Sequence, residues 1–102
     1  MGDDFSRYFG DPDIHDGVII QFEHHENEAS VSIKGLSGKM LKAEFSGLAS
    51  IKSNNPEGMI VYSLSEMRYK KPLRHFVFTN TEDEDDAYLE IVAEKIKVTK
   101  IV

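Results

Sequence analysis

The chain has 102 residues and no cysteine. That excludes a disulfide, a thiolate zinc site and a thiol nucleophile. A small domain without disulfides fits the cytosol, although a lack of cysteine does not by itself exclude export. The opening Met1-Gly2-Asp3-Asp4-Phe5 has neither a basic segment nor an apolar one, so it does not read as a secretory signal. No apolar run approaches the ~20 residues of a membrane-spanning helix. A cytoplasmic location without a membrane partner is the expectation. Also missing are a Gly-x-Ser-x-Gly elbow, a P-loop and a dinucleotide fingerprint. No cofactor is implied.

What remains is ordinary globular composition, 40% hydrophobic and 29% charged. The length suits a single domain with one modest core, residues 1–102, with 1–16 as a short N-terminal extension packed on it. The net charge of −6 is unevenly spread. Residues 1–28 carry eight acids and one base, residues 29–81 three acids and eight bases, and residues 82–102 seven acids and three bases. The overall sign argues against a nucleic-acid backbone as partner. The basic middle can instead lie beside the acidic ends.

Alternation dominates the pattern. Near the N-terminus, Asp3 to Phe9 reads as one helical turn capped by Asp3 or Asp4, with its aromatics pinning the N-terminus to the body. Gly10-Asp11-Pro12-Asp13 is a turn. From Gly17 the period is two: Val18, Ile20, Phe22 and His24 fall on one face, and Ile19, Gln21, Glu23 and His25 on the other. After a turn at Glu26-Asn27-Glu28, Ala29, Val31 and Ile33 alternate with polar residues, which predicts a first hairpin. Leu41, Ala43 and Phe45 mark a third strand. Gly47 breaks it, and Leu48 to Ile51 carry on after a bulge or bend. Ser53-Asn54-Asn55-Pro56-Glu57-Gly58 is the strongest loop signal. Met59 to Leu64 is a strand. Ser65 to Lys71 reads equally as a short helix or as a bent continuation of that strand, ended by Pro72.

The chain is organised around a hairpin over residues 73–92. Its first arm, Arg74 to Asn80, is apolar from Phe76 to Phe78, as a central strand requires. Its second arm alternates Ala87, Leu89 and Ile91 with Tyr88 and Glu90. Glu94 to Ile101 forms a last strand whose lysine-rich face suits a sheet edge. The prediction is therefore all-β: an antiparallel meander of seven or eight strands forming a small sandwich or barrel.

Candidate chemistry is sparse. His15-Asp16 is a candidate metal pair, because an adjacent His-Asp ligates divalent metal in many phosphohydrolases. Those sites sit on helices and draw further ligands from other helices. Here the pair precedes a strand, so a turn at Asp16-Gly17 with His15 at the sheet end is the stronger reading. His24 and His25 point oppositely if extended, and nothing in the spacing gathers His15 and His75 with one of them around zinc. Arg68, Lys70, Lys71 and Arg74, near Tyr69 and Phe76, form a basic patch of the kind that binds single strands, but the net charge opposes it. Glu82, Asp83, Glu84, Asp85 and Asp86 lack the glycine of a calcium loop and read as a solvated hairpin tip. A recognition surface for a basic partner is the functional alternative for this tip.

Ile14-His15-Asp16-Gly17-Val18-Ile19, followed by a strand pair and Leu41-Lys42-Ala43-Glu44-Phe45-Ser46-Gly47-Leu48, resembles a set of small bacterial β-proteins. In these a His-Asp pair precedes the first strand and a Phe-x-Gly-hydrophobic step ends the third. Tyr88 to Ala93 is compatible with it. The set includes uncharacterised proteins and immunity proteins encoded beside polymorphic toxins. The resemblance implies an all-β fold, a toxin-neutralising or other binding role, and no catalytic residues. A non-enzymatic module that binds a protein partner, such as a basic toxin, is the leading expectation. A small metal-dependent enzyme using His15 and Asp16, and a homo-oligomeric regulatory domain, are the alternatives.

Overall fold

The computed structural model describes residues 5–8, 14–81 and 86–101, with residues 5–8 and Ile101 described by backbone alone. The chain is all-β and antiparallel, with no helix among the described residues. In chain order the strands are β1 (Phe5–Tyr8), β2 (Gly17–His25), β3 (Glu28–Lys34), β4 (Met40–Asn54), β5 (Ile60–Met67), β6 (Arg74–Asn80) and β7 (Tyr88–Ile101).

The sheet order is β1-β5-β2-β3-β4-β7-β6, and β6 pairs back onto β5. Strands β2 to β7 therefore close into a ring. This is not a simple meander. Hairpin connections join β2-β3-β4 and β5-β6-β7, but β4 leads into β5, which lies beside β6 and β2 rather than beside β4. The seam between β2 and β5 is short, with only Gly17↔Val61 and Val18↔Ile60 in register. Beyond it, β1 pairs with the second half of β5.

The sheet turns a corner at Gly47. The first half of β4, Met40 to Ser46, pairs with β3 and with the second half of β7; its second half pairs with the first half of β7, which also pairs with β6. The two long strands thus pass from one side of the barrel to the other, as strands do where sheets pack at a steep angle. Gly47 has φ +65°, and a Cβ there would lie 2.8 Å from the Glu94 Cβ. Only glycine combines that backbone conformation with so close an approach. The register slips immediately afterwards, between Leu48 and Ser50.

Inside the ring, Phe45, Phe76 and Phe78 form an aromatic cluster, with Phe45 centred 5.3 Å from Phe76 and 6.2 Å from Phe78. Ile19, Val31, Ile33, Leu41, Val61, Leu64, Leu89 and Ile91 fill the space around them. The hairpin over residues 73–92 forms, and its register, which the sequence left open, sets Phe76 opposite Ile91 and Phe78 opposite Leu89. Both phenylalanines are fully buried. At its base the Asn80 side chain donates to the Ala87 carbonyl and the Asn54 side chain to the Asp86 carbonyl.

Several expectations are corrected. At its described residues the expected N-terminal helical turn does not form: Phe5–Tyr8 is a strand, because the second half of β5 offers it a row of backbone partners, while Asp3, Asp4, Phe9 and the turn expected at Gly10 to Asp13 lie outside the described residues. The second arm of the hairpin and the last strand are one strand, β7, so the segments do not sum to seven or eight in the way foreseen. The strand before the central loop runs on through Asn54. Residues Ser65 to Met67 continue β5, and the chain turns before β6 with Leu73 N–H donating to the Lys70 carbonyl. In β2 a bulge between Ile19 and Gln21 breaks the strict alternation, so Ile19 and Phe22 lie opposite Ile33 and Val31, while Ile20 is exposed.

Candidate functional site: a charged groove beside an open edge

A groove of about 640 Å³ lies across β2, β3, β4 and the second half of β7. Cross-strand register explains its lining. One row runs Glu23–Ser30–Glu44–Lys97, and the next runs His25–Glu28–Ser46–Lys95. Residues directly opposite each other in an antiparallel ladder share a face, so the first row sets Glu44 beside Lys97, while in the second Ser46 lies between Glu28 and Lys95. Ala29, Phe45 and Ile96, a row of the opposite parity, complete the lining, with His24 at its end. Small serines between the charges keep the groove open.

The groove ends at a sheet edge. The ladder between β6 and β7 stops at Arg74↔Ala93. From Lys95 to Ile101, β7 pairs with β4 on one side, and no strand among the described residues pairs with its other side. The lysine-rich face foreseen for this segment is thus at an edge, where lysine discourages indiscriminate pairing.

The candidate metal pair sits elsewhere. Ile14 to Gly17 form a turn closed by the Gly17 N–H donating to the Ile14 carbonyl, with Asp16 at φ +64°. The Asp16 N–H donates to the Val61 carbonyl, which ties this turn to β5. His15 Nδ1 lies 2.8 Å from the Tyr62 carbonyl oxygen, and its ring meets the Tyr62 ring edge-on. Its Nε2 lies 3.5 Å from Asp16 Oδ2, and both side chains are exposed. No cluster of three or more His, Asp or Glu able to hold a metal occurs among the described residues. His75 is engaged on β6, 3.0 Å from Glu90 and against the Tyr69 ring. His24 packs on Phe22. The structure does not bring the histidines together.

The basic patch dissolves. Phe76 belongs to the core, and Arg74 is held in a bidentate pair with Glu66 at 2.8 Å to each oxygen. That hydrogen bond raises the Arg74 pKa above its already high value, with burial opposing and the Glu66 charge adding to the rise. Arg68, Lys70 and Lys71 are exposed around the turn into β6. Of the acidic tip, Glu82, Asp83, Glu84 and Asp85 lie outside the described residues; Asp86 is exposed.

No family model, no curated protein and no solved structure matches the chain. Among the described residues, no helix is long and apolar enough to cross a membrane.

Reading the sequence residue by residue missed the groove, because Glu44 and Lys97 are unremarkable on their own strands. The available signal was the pair of alternating charged faces, Lys42 with Glu44 and Lys95 with Lys97, which become one surface only when β4 and β7 pair.

Proposed function

We propose that this chain is a non-enzymatic protein-binding module that holds its partner on the groove across β2, β3, β4 and β7. The observation that carries this reading is the groove itself: charges of both signs in cross-strand register beside an open strand edge. Mixed charge at fixed spacing selects a partner with the complementary pattern and rejects one without it. A net charge of −6 steers a basic protein toward the chain from a distance. Neutralisation of a basic toxin in the cytoplasm is the specific form of this role that the resemblance to bacterial immunity proteins suggests. The acidic tip, Glu82 to Asp86, then supplies a second point of contact for a basic partner.

The test is affinity capture of the partner by the intact chain, followed by Glu44→Lys, which reverses one charge in the groove. Affinity for the captured partner should change about two- to tenfold, as expected when one charge of a surface pair is reversed. An unchanged affinity would place the interface elsewhere. For the toxin form, co-expression should restore growth of cells carrying the toxin gene that neighbours this one; no such neighbour in any genome holding this gene would remove it.

A further inference from the structure

We propose that the open edge of β7, from Lys95 to Thr99, accepts an extended acidic segment of the partner as an added strand. This rests on the binding-module reading and names the contact that the groove makes. The first support is backbone supply. This stretch is regular strand, laddered to β4 from Ser46↔Lys95 to Met40↔Ile101. From Lys95 to Thr99, the N–H and C=O groups on its other side meet no strand among the described residues. An extended peptide satisfies such groups by continuing the ladder.

The second support is charge register. Row by row, the outermost side chains on the groove face are Lys95, Lys97 and Thr99. Lys97 stands opposite Glu44, which itself follows Ser30 and Glu23. The next residue in that row belongs to the incoming strand. An acid there extends the alternation Glu44–Lys97 by one favourable neighbour, and an acid two residues away meets Lys95. The row of opposite parity presents Ile96 and Val98, half-buried, so alternate positions of the segment are apolar. The occupant is thus an acidic-apolar alternating strand.

The same register argues against a second copy of this chain. Two β7 edges paired about a two-fold axis at Ile96 or Lys97 would bring lysines of one copy against lysines of the other, and like charges across a ladder are destabilising. The net charge of −6 governs the long-range encounter; the edge governs only the local contact.

The experiment uses the full chain and a blocked heptapeptide alternating Glu and Val, followed by backbone amide NMR. Saturable shifts should appear at residues 94–101 and at the facing groove residues, weakening as salt is raised. A heptapeptide with Lys for Glu should not bind. Lys97→Glu should weaken the acidic peptide about two- to tenfold. Two N-methylated versions of the peptide, each blocking the N–H groups on one of its edges, separate strand addition from simple charge attraction: one should lose binding and the other keep it. Equal binding of both, shifts centred on another edge, or no shift at millimolar peptide would overturn the inference. So would a dimer in sedimentation with its interface on residues 94–101. A captured partner whose affinity is untouched by Lys95→Glu and Lys97→Glu would also overturn it while leaving the module reading intact. Failure of the intact chain to hold any protein partner would instead remove the module reading, whatever the peptide does.

Discussion

Arg74 and Glu66 lie diagonally across the β5–β6 ladder, joined by two hydrogen bonds of 2.8 Å. Arg74 shares the core-facing side of β6 with Phe76 and Phe78, and its guanidinium lies over the Phe76 ring, 5.2 Å from the centroid. Glu66 stands opposite Phe76 in the ladder. The pair is a polar lid on one side of the aromatic cluster. It accounts for the most conspicuous charged residue of the predicted basic patch being structural rather than available to a partner.

Removing one member of this pair should cost more than removing both. Glu66→Ala leaves a guanidinium without its carboxylate in a half-buried place and should destabilise by about 1–3 kcal/mol. The double variant Glu66→Leu with Arg74→Met should recover part of that loss. Urea melts of the parent, Glu66→Ala, the double variant and its two single variants decide it; a double variant as unstable as the sum of those singles would contradict the lid. Arg74 itself supplies no pH dependence near neutrality. Its pKa is raised in the fold, so its contribution is complete below the unfolded value and is lost only as pH climbs through the folded one, far into alkali.

The aromatic cluster makes the hairpin over residues 73–92 the costliest place to cut. Phe78→Ala should lose about 3–5 kcal/mol out of the about 5–15 kcal/mol typical of a domain this size. Its melting temperature should fall by at least about 10 °C, or the protein should fail to fold. Replacing Glu82, Asp83 and Glu84 by Asn, Gly and Ser should shift stability by no more than about 0.5 kcal/mol, while weakening a partner that uses the tip. A mild melt for Phe78→Ala beside a severe one for the tip would show that the core lies elsewhere.

The corner is tested by comparing two glycines. Gly47→Ala adds a Cβ 2.8 Å from the Glu94 side chain at φ +65°, whereas Gly38→Ala at φ +86° meets nothing within 4 Å. Both should pay about 1–2 kcal/mol for the left-handed backbone. Gly47→Ala should lose distinctly more, because the Glu94 Cβ is fixed to the β7 backbone and has little room to yield. Equal losses would mean that β4 and β7 do not approach so closely at the corner.

Metal analysis addresses the His15-Asp16 pair. Protein purified without a histidine tag should hold well under one equivalent of divalent metal, and His15→Ala should leave that content unchanged. Stoichiometric metal lost on His15→Ala would revive the metal-dependent alternative.

Much of this architecture was legible in the chain. Period-two alternation in Ala29-Val31-Ile33 and Leu41-Ala43-Phe45 marked strands with one buried face, because successive side chains on a strand point oppositely. The apolar run at Phe76 to Phe78 marked the central arm of the hairpin. The lysines of the last segment marked an edge. These signals are local, and they depend on which faces meet water. What the tertiary structure alone decided is nonlocal pairing. Phe5–Tyr8 is a strand because β5 lies beside it and pairs with it. Arg74 leaves the basic patch because Glu66, diagonal to it on another strand, binds it. The groove exists because β4 and β7 align Glu44 with Lys97. Alternation says that a side chain points in or out; it does not say which strand lies beside it, and each of these features belongs to a pair of strands rather than to either one.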